Sequence, residues 1–121
     1  MLPSNIDNPA GTRRRFHVEA SQAEARAGVL TTSHGAVSTP AFMPVATHGA
    51  VRTMTPSETT ATGTSILLSN AYHLALRPGV PLIESLGGLH AFMGWNGPIL
   101  TDSGGFQIYS LGNLSRVTEE A

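Results

Sequence analysis

The chain contains no cysteine. No disulfide and no Cys-ligated zinc can therefore form within these residues. Lysine is absent too, so the basic side chains are all arginine. Charged residues make up only 12% of the 121 residues, and the formal net charge is -1 at pH 7. Composition thus leaves none of the basic footprint that marks a general nucleic-acid binder. No apolar run approaches the ~20 residues that span a bilayer. The N-terminus lacks the charged-then-apolar pattern of an export signal. These absences predict a cytoplasmic protein with no membrane partner.

What is present is one modest hydrophobic complement, 40% of the residues, enough for a single small core. Met1–Thr12 holds Pro3, Asn5, Asp7, Asn8, Pro9 and Gly11 and shows neither helical nor strand periodicity. Residues 1–15 read as a flexible leader, and residues 16–121 as the structured part. Arg13-Arg14-Arg15 is the one local basic run. It reads first as a solvated tail, with contact to RNA phosphates the other reading.

Phe16–Ala20 alternates apolar and polar, as a half-buried strand does. Ala27–Thr32 predicts a second strand, and Ala36–Thr39 a short third after the turn at Ser33-His34-Gly35. Together they predict a small leading antiparallel sheet. Ala41-Phe-Met-Pro-Val45 is nearly all apolar, as a strand buried on both faces would be. Pro44 fits such a strand only at its end. Thr55-Pro56-Ser57-Glu58 predicts a helix start, with Thr55 as cap, Pro56 at the first position and Glu58 closing a capping box. Ser65–Ser69 predicts a second buried strand with Asn70 just past its end. Arg77-Pro-Gly79 is a turn. Val80–Leu86 predicts a helix with Leu82, Ile83 and Leu86 on one face, stopped by Gly87-Gly88. Leu89–Met93 adds a further helical turn. Pro98–Thr101 predicts a third buried strand that delivers Asp102. Phe106–Leu111 is ambiguous between helix and strand, and Asn113–Ala121 is polar.

Strand and helix alternate with short connections, which predicts an α/β fold with parallel strands. In such folds ligands sit at the carboxyl ends of the strands. Val45, Asn70 and Asp102 all fall at or near predicted ends.

Chemistry concentrates at Pro98-Ile-Leu-Thr-Asp-Ser-Gly-Gly-Phe-Gln107. The carboxylate of Asp102, the hydroxyl of Ser103, the bare backbone of Gly104 and Gly105, and the ring of Phe106 fall within five residues. Two missing side chains let a ligand reach backbone N–H groups closely. A flat polar ligand such as a nucleobase suits this set, its edge read by Asp102 and backbone, its face stacked on Phe106. Asp-Ser-Gly-Gly also makes an ordinary turn. Asn70 likewise has an ordinary reading as a turn residue, and Phe106 as core. Met43, Met54 and Met93 read as core filler. His73 reads as a hydrogen-bonded structural residue. His34, His48 and His90 read as loop residues, and no pair of histidines has metal-ligand spacing.

Ile-Leu-Thr-Asp-Ser-Gly-Gly-Phe-Gln resembles the signature of the queuine tRNA-ribosyltransferases, or tRNA-guanine transglycosylases. Thr39-Pro-Ala-Phe-Met-Pro-Val45, Leu68-Ser-Asn-Ala-Tyr-His-Leu74, Arg77-Pro-Gly79 and Gly87-Gly-Leu-His-Ala-Phe-Met-Gly-Trp95 agree in order. The resemblance runs from about Phe16 to Leu111 and is of the bacterial type. Ser69 and Ala71 stand where Gly and Thr are usual, and both are small.

The resemblance implies a (β/α)8 TIM barrel, of which this chain supplies the leading sheet and the first strand–helix units. A full barrel takes about 200–250 residues. It implies a glycosyltransferase of the pentosyl type. That enzyme exchanges the wobble guanine of tRNA for a 7-deazaguanine base, queuine or its bacterial precursor, in queuosine biosynthesis. Asp102 resembles the family's acid/base residue. Ser103, Gly104, Gly105, Phe106 and Gln107 resemble its base-binding loop. Asn70 resembles the residue that positions the carboxylate, and Val45 and Leu68 resemble apolar neighbours of the ribose. Implied partners are tRNA, guanine and the 7-deazaguanine base, with a homodimer as the active form. The nucleophilic aspartate and a structural zinc site of three Cys and one His are implied downstream of residue 121, leaving no metal site here. Asp7, Glu19, Glu24, Glu58, Glu84, Glu119 and Glu120 follow no buried strand, so the chain is expected to be inactive alone. A non-catalytic partner or scaffold paralogue of the same family is the alternative, and the presence of Asp102 favours the enzyme. A small nucleotide-binding α/β module would need a phosphate loop, and no Gly-x-Gly-x-x-Gly or Walker pattern occurs.

Overall fold

Two tight turns shape the start of the chain. In the computed structural model, which describes residues 15–110, strand β1 (Phe16–Gln22) reverses through Ala23-Glu24 into β2 (Ala25–Thr32). Strand β2 reverses through Ser33-His34 into β3 (Gly35–Thr39). Thr32 pins the second turn, its hydroxyl donating to the Gly35 carbonyl at 2.8 Å and accepting from the His34 amide at 3.1 Å. The result is the expected antiparallel sheet in the order β1-β2-β3, with a bulge between Val18 and Ala20. The alternation of β1 is not matched by burial: the whole strand is exposed. It pairs on one edge only and gains no cover on either face from the described residues. The expected leader, with Arg13 and Arg14, and the polar stretch Asn113–Ala121 lie outside the described residues, as does Leu111.

Helix α1 (Pro56–Ala61) begins as its sequence dictates. Thr55 Oγ1 accepts from the Glu58 amide at 3.2 Å, and a Glu58 carboxylate oxygen accepts from the Thr55 amide at 2.7 Å. Two N–H groups that the first turn would leave unpaired are thereby satisfied. Strand β4 (Leu67–Asn70) follows, then α2 (Ala71–Leu76), α3 (Val80–Ser85), α4 (Leu89–Met93), β5 (Ile99–Asp102) and α5 (Gly105–Ser110).

Strands β4 and β5 pair in parallel, Leu67 opposite Ile99 and Asn70 opposite Asp102. Three helices fill the connection between them, as a parallel pair requires. On the other side of β4, Val45 forms a single parallel bridge to Leu68. Two backbone bonds flank it, Leu68 N–H to the Pro44 carbonyl at 3.0 Å and Ala46 N–H to the Leu68 carbonyl at 2.7 Å.

Several local expectations change. Ala41–Val45 is not a buried strand: only Val45 bridges, and Phe42 is 84% exposed. Pro40 and Pro44 bring no N–H to a ladder, so the segment cannot pair along its length. Helix α2 was not expected; the strand ends at Asn70, and that same residue caps the helix. Strand β5 is not fully buried, since Leu100 and Thr101 are exposed. On α3, Leu82 is exposed and Ile83 half-buried, and Leu86, the residue that ends the helix, is exposed, so the apolar face is only partly covered. The ambiguous stretch after Gly105 is helical.

The core sits beneath the parallel pair. Ala46, Leu67, Met93 and Trp95 are buried together, with Val51, Leu89, Phe92 and Ile99 packed against them. Trp95 buries its ring yet keeps its indole N–H paired, donating to the Pro98 carbonyl at 3.1 Å. Of the methionines read as filler, Met93 is in this core and Met43 and Met54 are half-buried.

Candidate base-binding site

The site forms where β4 and β5 end. Asn70 and Asp102 occupy matching positions in the parallel register, so their side chains stand side by side. Asn70 Nδ2 donates to Asp102 Oδ2 at 2.7 Å. At this length it is at the short end of N–H···O hydrogen bonds.

Helix α2 decides which way the Asn70 amide faces. Asn70 Oδ1 accepts from the His73 amide at 2.9 Å, capping the helix. With the oxygen committed there, the NH2 group faces Asp102. Asn70 is buried, with 7% of its surface exposed, and every buried side-chain polar atom among the described residues has a partner.

The second carboxylate oxygen is also held. Gly104 N–H donates to Asp102 Oδ1 at 3.2 Å. Gly104 is buried at φ +71, a conformation that favours glycine. Ser103 stays local, its hydroxyl accepting from the Gly105 amide at 3.4 Å. The loop is thus both an ordinary Asx-type turn and a set of polar groups converging on one carboxylate.

The remaining expected residues surround this pair along the chain. Phe106 begins α5 beside Gly105 and is 74% exposed, so it is not core. Gln107 is half-buried on the same helix. Val45 is 57% exposed and lies bridged to half-buried Leu68, giving an apolar surface two residues before Asn70 on the same strand. An apolar groove of about 570 Å³ lies elsewhere, lined by Ala71, Leu74, Val80, Ile83 and Leu89 among others; it reaches Thr101 but not Asp102. The strand-end site differs from that groove in pairing a carboxylate with a side-chain amide and with open backbone.

Of the histidines read as loop residues, His34 and His48 lie in turns and His90 does not. His90 lies in α4, its Nε2 3.1 Å from the Gly97 carbonyl, and its ring stacks on that of His34 at 3.6 Å. His73 lies in α2, with its ring 5.3 Å from that of His48. Among the described residues no three of His, Cys, Asp or Glu gather into a metal-holding group. No helix among them is long and apolar enough to cross a membrane.

What reading the sequence missed is the role of α2. An asparagine followed by Ala-Tyr-His-Leu-Ala-Leu is a legible N-cap and short helix, and it explains why Asn70 is so tightly placed.

The chain matches known proteins over most of its length. The family model described as queuine tRNA-ribosyltransferase matches residues 21–121. A queuine tRNA-ribosyltransferase of Methylobacillus flagellatus is 62% identical over 96 residues, which are 79% of this chain and 26% of that protein. One from Nitrosospira multiformis is 55% identical over 106 residues, 88% of this chain and 29% of the relative. One from Thermus thermophilus is 57% identical over 106 residues, 88% of this chain and 28% of the relative. The chain therefore spans between a quarter and a third of the length of these curated relatives. With a matching model over most of its residues, this chain belongs to the queuine tRNA-ribosyltransferase family.

Proposed function

We propose that this chain carries the acid/base and base-binding part of a tRNA-guanine transglycosylase. The complete protein exchanges the wobble guanine of a tRNA anticodon for a 7-deazaguanine base. The observation that carries this reading is the Asn70–Asp102 bond at 2.7 Å at the ends of parallel strands, beside a double-glycine loop.

Breaking a glycosidic bond builds positive charge at the ribose C1′ and negative charge on the departing base. Asp102 answers the second: as the acid it gives a proton to leaving guanine, and as the carboxylate it takes one from the incoming base. Asn70 holds one carboxylate oxygen, so the group meets the base in one orientation. The exposed Phe106 ring supplies a stacking face, worth about 1–3 kcal/mol for a base. Bare Gly105 and half-buried Gln107 read the base edge. Val45 and Leu68 border the ribose. The target base leaves the anticodon stack to reach this site.

The positive charge at C1′ needs a second carboxylate, acting as nucleophile in the manner of retaining glycosidases. The other described acids are placed elsewhere: Glu19 in β1, Glu24 in a hairpin turn, Glu58 at the start of α1 and Glu84 in α3. We infer that the rest of the protein supplies it, and that these 121 residues alone do not exchange bases. The structural zinc implied by the family likewise finds no ligand set among the described residues. On this reading β4 and β5, with the single Val45 bridge at the edge of β4, belong to the start of a (β/α)8 barrel.

The test is incorporation of labelled guanine into tRNA by the complete product of the gene. Asp102→Asn keeps the shape and removes the acid. A fall of roughly 10²–10⁴-fold in turnover is expected. Turnover within a few-fold of the parent would refute the assignment of Asp102 and favour a non-catalytic role.

A further inference from the structure

We propose that Ser69 is a positioning residue for the ribose side of the site, acting through the Ala46 carbonyl; this rests on the base-exchange reading above. Ser69 stands in β4 between Leu68 and Asn70 and is fully buried. Its hydroxyl donates to the Ala46 carbonyl at 2.8 Å, 23 residues earlier in the chain. Backbone pairing at this edge of β4 is slight: Val45 makes a single bridge to Leu68, and the ladder stops there. In a continuing parallel ladder the next donor to the Ala46 carbonyl would be the Asn70 N–H. The Ser69 hydroxyl takes that carbonyl instead. Ala46 is thus tied to β4 on both sides, its N–H to the Leu68 carbonyl at 2.7 Å and its carbonyl to Ser69.

The consequence reaches Val45, the residue before Ala46. Its side chain is exposed, so packing holds it little, and its place depends on the ties of its backbone neighbours to β4. Three bonds supply them: Leu68 N–H to the Pro44 carbonyl, Ala46 N–H to the Leu68 carbonyl, and the Ser69 hydroxyl to the Ala46 carbonyl. Only the third comes from a side chain, so a substitution can remove it. The Ala46 carbonyl also accepts from the Gly49 amide at 3.0 Å, so it keeps a partner when the hydroxyl is lost. The fold therefore survives the loss, and the lateral tie does not. Val45 can then drift from Leu68, and the apolar border of the ribose loosens. The base side is untouched, because Asn70 and Gly104 hold Asp102 independently.

Two readouts on the complete gene product test this. The first is hydrogen exchange at the Ala46 amide, compared with the Leu67 amide, which bonds to the Pro98 carbonyl at 3.1 Å on the other side of β4. Ser69→Ala should speed exchange at Ala46 about fivefold, as expected for loss of one neutral hydrogen bond, and leave Leu67 unchanged. The second is exchange of labelled guanine into tRNA. Ser69→Ala should raise KM for tRNA about fivefold while kcat and KM for guanine stay within twofold. A purely structural role would not single out tRNA. Val45→Ala should also raise KM for tRNA, and adding Ser69→Ala to it should raise that KM less than twofold further, because the tie then has no side chain left to place. Unchanged Ala46 exchange or an unchanged KM for tRNA in Ser69→Ala would overturn the proposal. So would a parent-like Val45→Ala, an equal rise in KM for guanine, or effects of the two substitutions that multiply in full. If Ser69→Ala does not fold, Ser69→Gly decides by the same comparisons. Asp102→Asn run alongside separates the two failures. If it leaves turnover intact, the base-exchange reading falls. If it abolishes turnover while Ser69→Ala leaves KM for tRNA unchanged, only the positioning role falls.

Discussion

Asn70 joins a helix cap to the Asp102 carboxylate: its Oδ1 accepts from the His73 amide at 2.9 Å while its Nδ2 donates to Asp102 at 2.7 Å. The two bonds use opposite ends of one amide, so substitutions can break them separately. Asn70→Asp keeps a capping oxygen but places a second carboxylate against Asp102. Asn70→Ala loses both bonds. We expect both variants to lower base exchange by about 10–100-fold, the worth of a hydrogen bond to a charged group. Only Asn70→Ala should also lose the cap, about 1 kcal/mol of stability. Turnover and urea unfolding, measured on the same preparations, separate the two effects.

Phe106 is 74% exposed, so truncating it removes little packing. Phe106→Ala should leave stability within about 0.5 kcal/mol. Its effect should fall on the base, weakening the KM for guanine by about 5–100-fold through lost stacking. Phe106→Tyr keeps the face and should behave as the parent. Steady-state kinetics with guanine as the varied substrate provide the check.

The capping box of α1 predicts an acid-side effect. The Thr55 backbone N–H, then the Thr55 side chain, hold the Glu58 carboxyl below its ordinary value of 4.5. A group with a lowered folded value contributes its stabilisation above the unfolded value and loses it as pH falls through the folded one. The contribution is therefore complete near neutrality, begins to be lost at about pH 4.5 and falls away as pH drops further through the folded value. Glu58→Gln should show a shallower loss of thermal stability across that window than the parent. Equal slopes in melts taken from pH 6 to pH 3 would show that Glu58 plays no part.

Trp95 tests the core. Its ring packs with Ala46, Leu67 and Met93, and its N–H donates to the Pro98 carbonyl. That carbonyl also accepts from the Leu67 amide at 3.1 Å, so it keeps one partner when the indole is lost. Trp95→Phe should cost about 1–2 kcal/mol, one neutral hydrogen bond plus a small void. Trp95→Ala should cost about 3–5 kcal/mol. Chemical unfolding midpoints would report both.

Much of this was written into short-range chemistry. Thr55-Pro56-Ser57-Glu58 specifies a helix start because every partner lies within four residues. The hairpin turns, the stop after α3 at Gly87-Gly88 and the strand leading to Asp102 are legible for the same reason. So is the gathering of a carboxylate, two glycines and an aromatic between Asp102 and Phe106.

Tertiary structure decided the rest. Apolar content at Ala41–Val45 suggested a strand, but pairing depends on donors, and the prolines withhold them. The alternation of β1 suggested a buried face, but burial depends on a neighbouring layer. Nothing local sets Asn70 beside Asp102, 32 residues away, or Ser69 against the Ala46 carbonyl. The sequence by itself determined which groups stand at each strand end. The parallel register of β4 and β5 alone determined that they meet, because only a fixed register brings two distant ends to the same height.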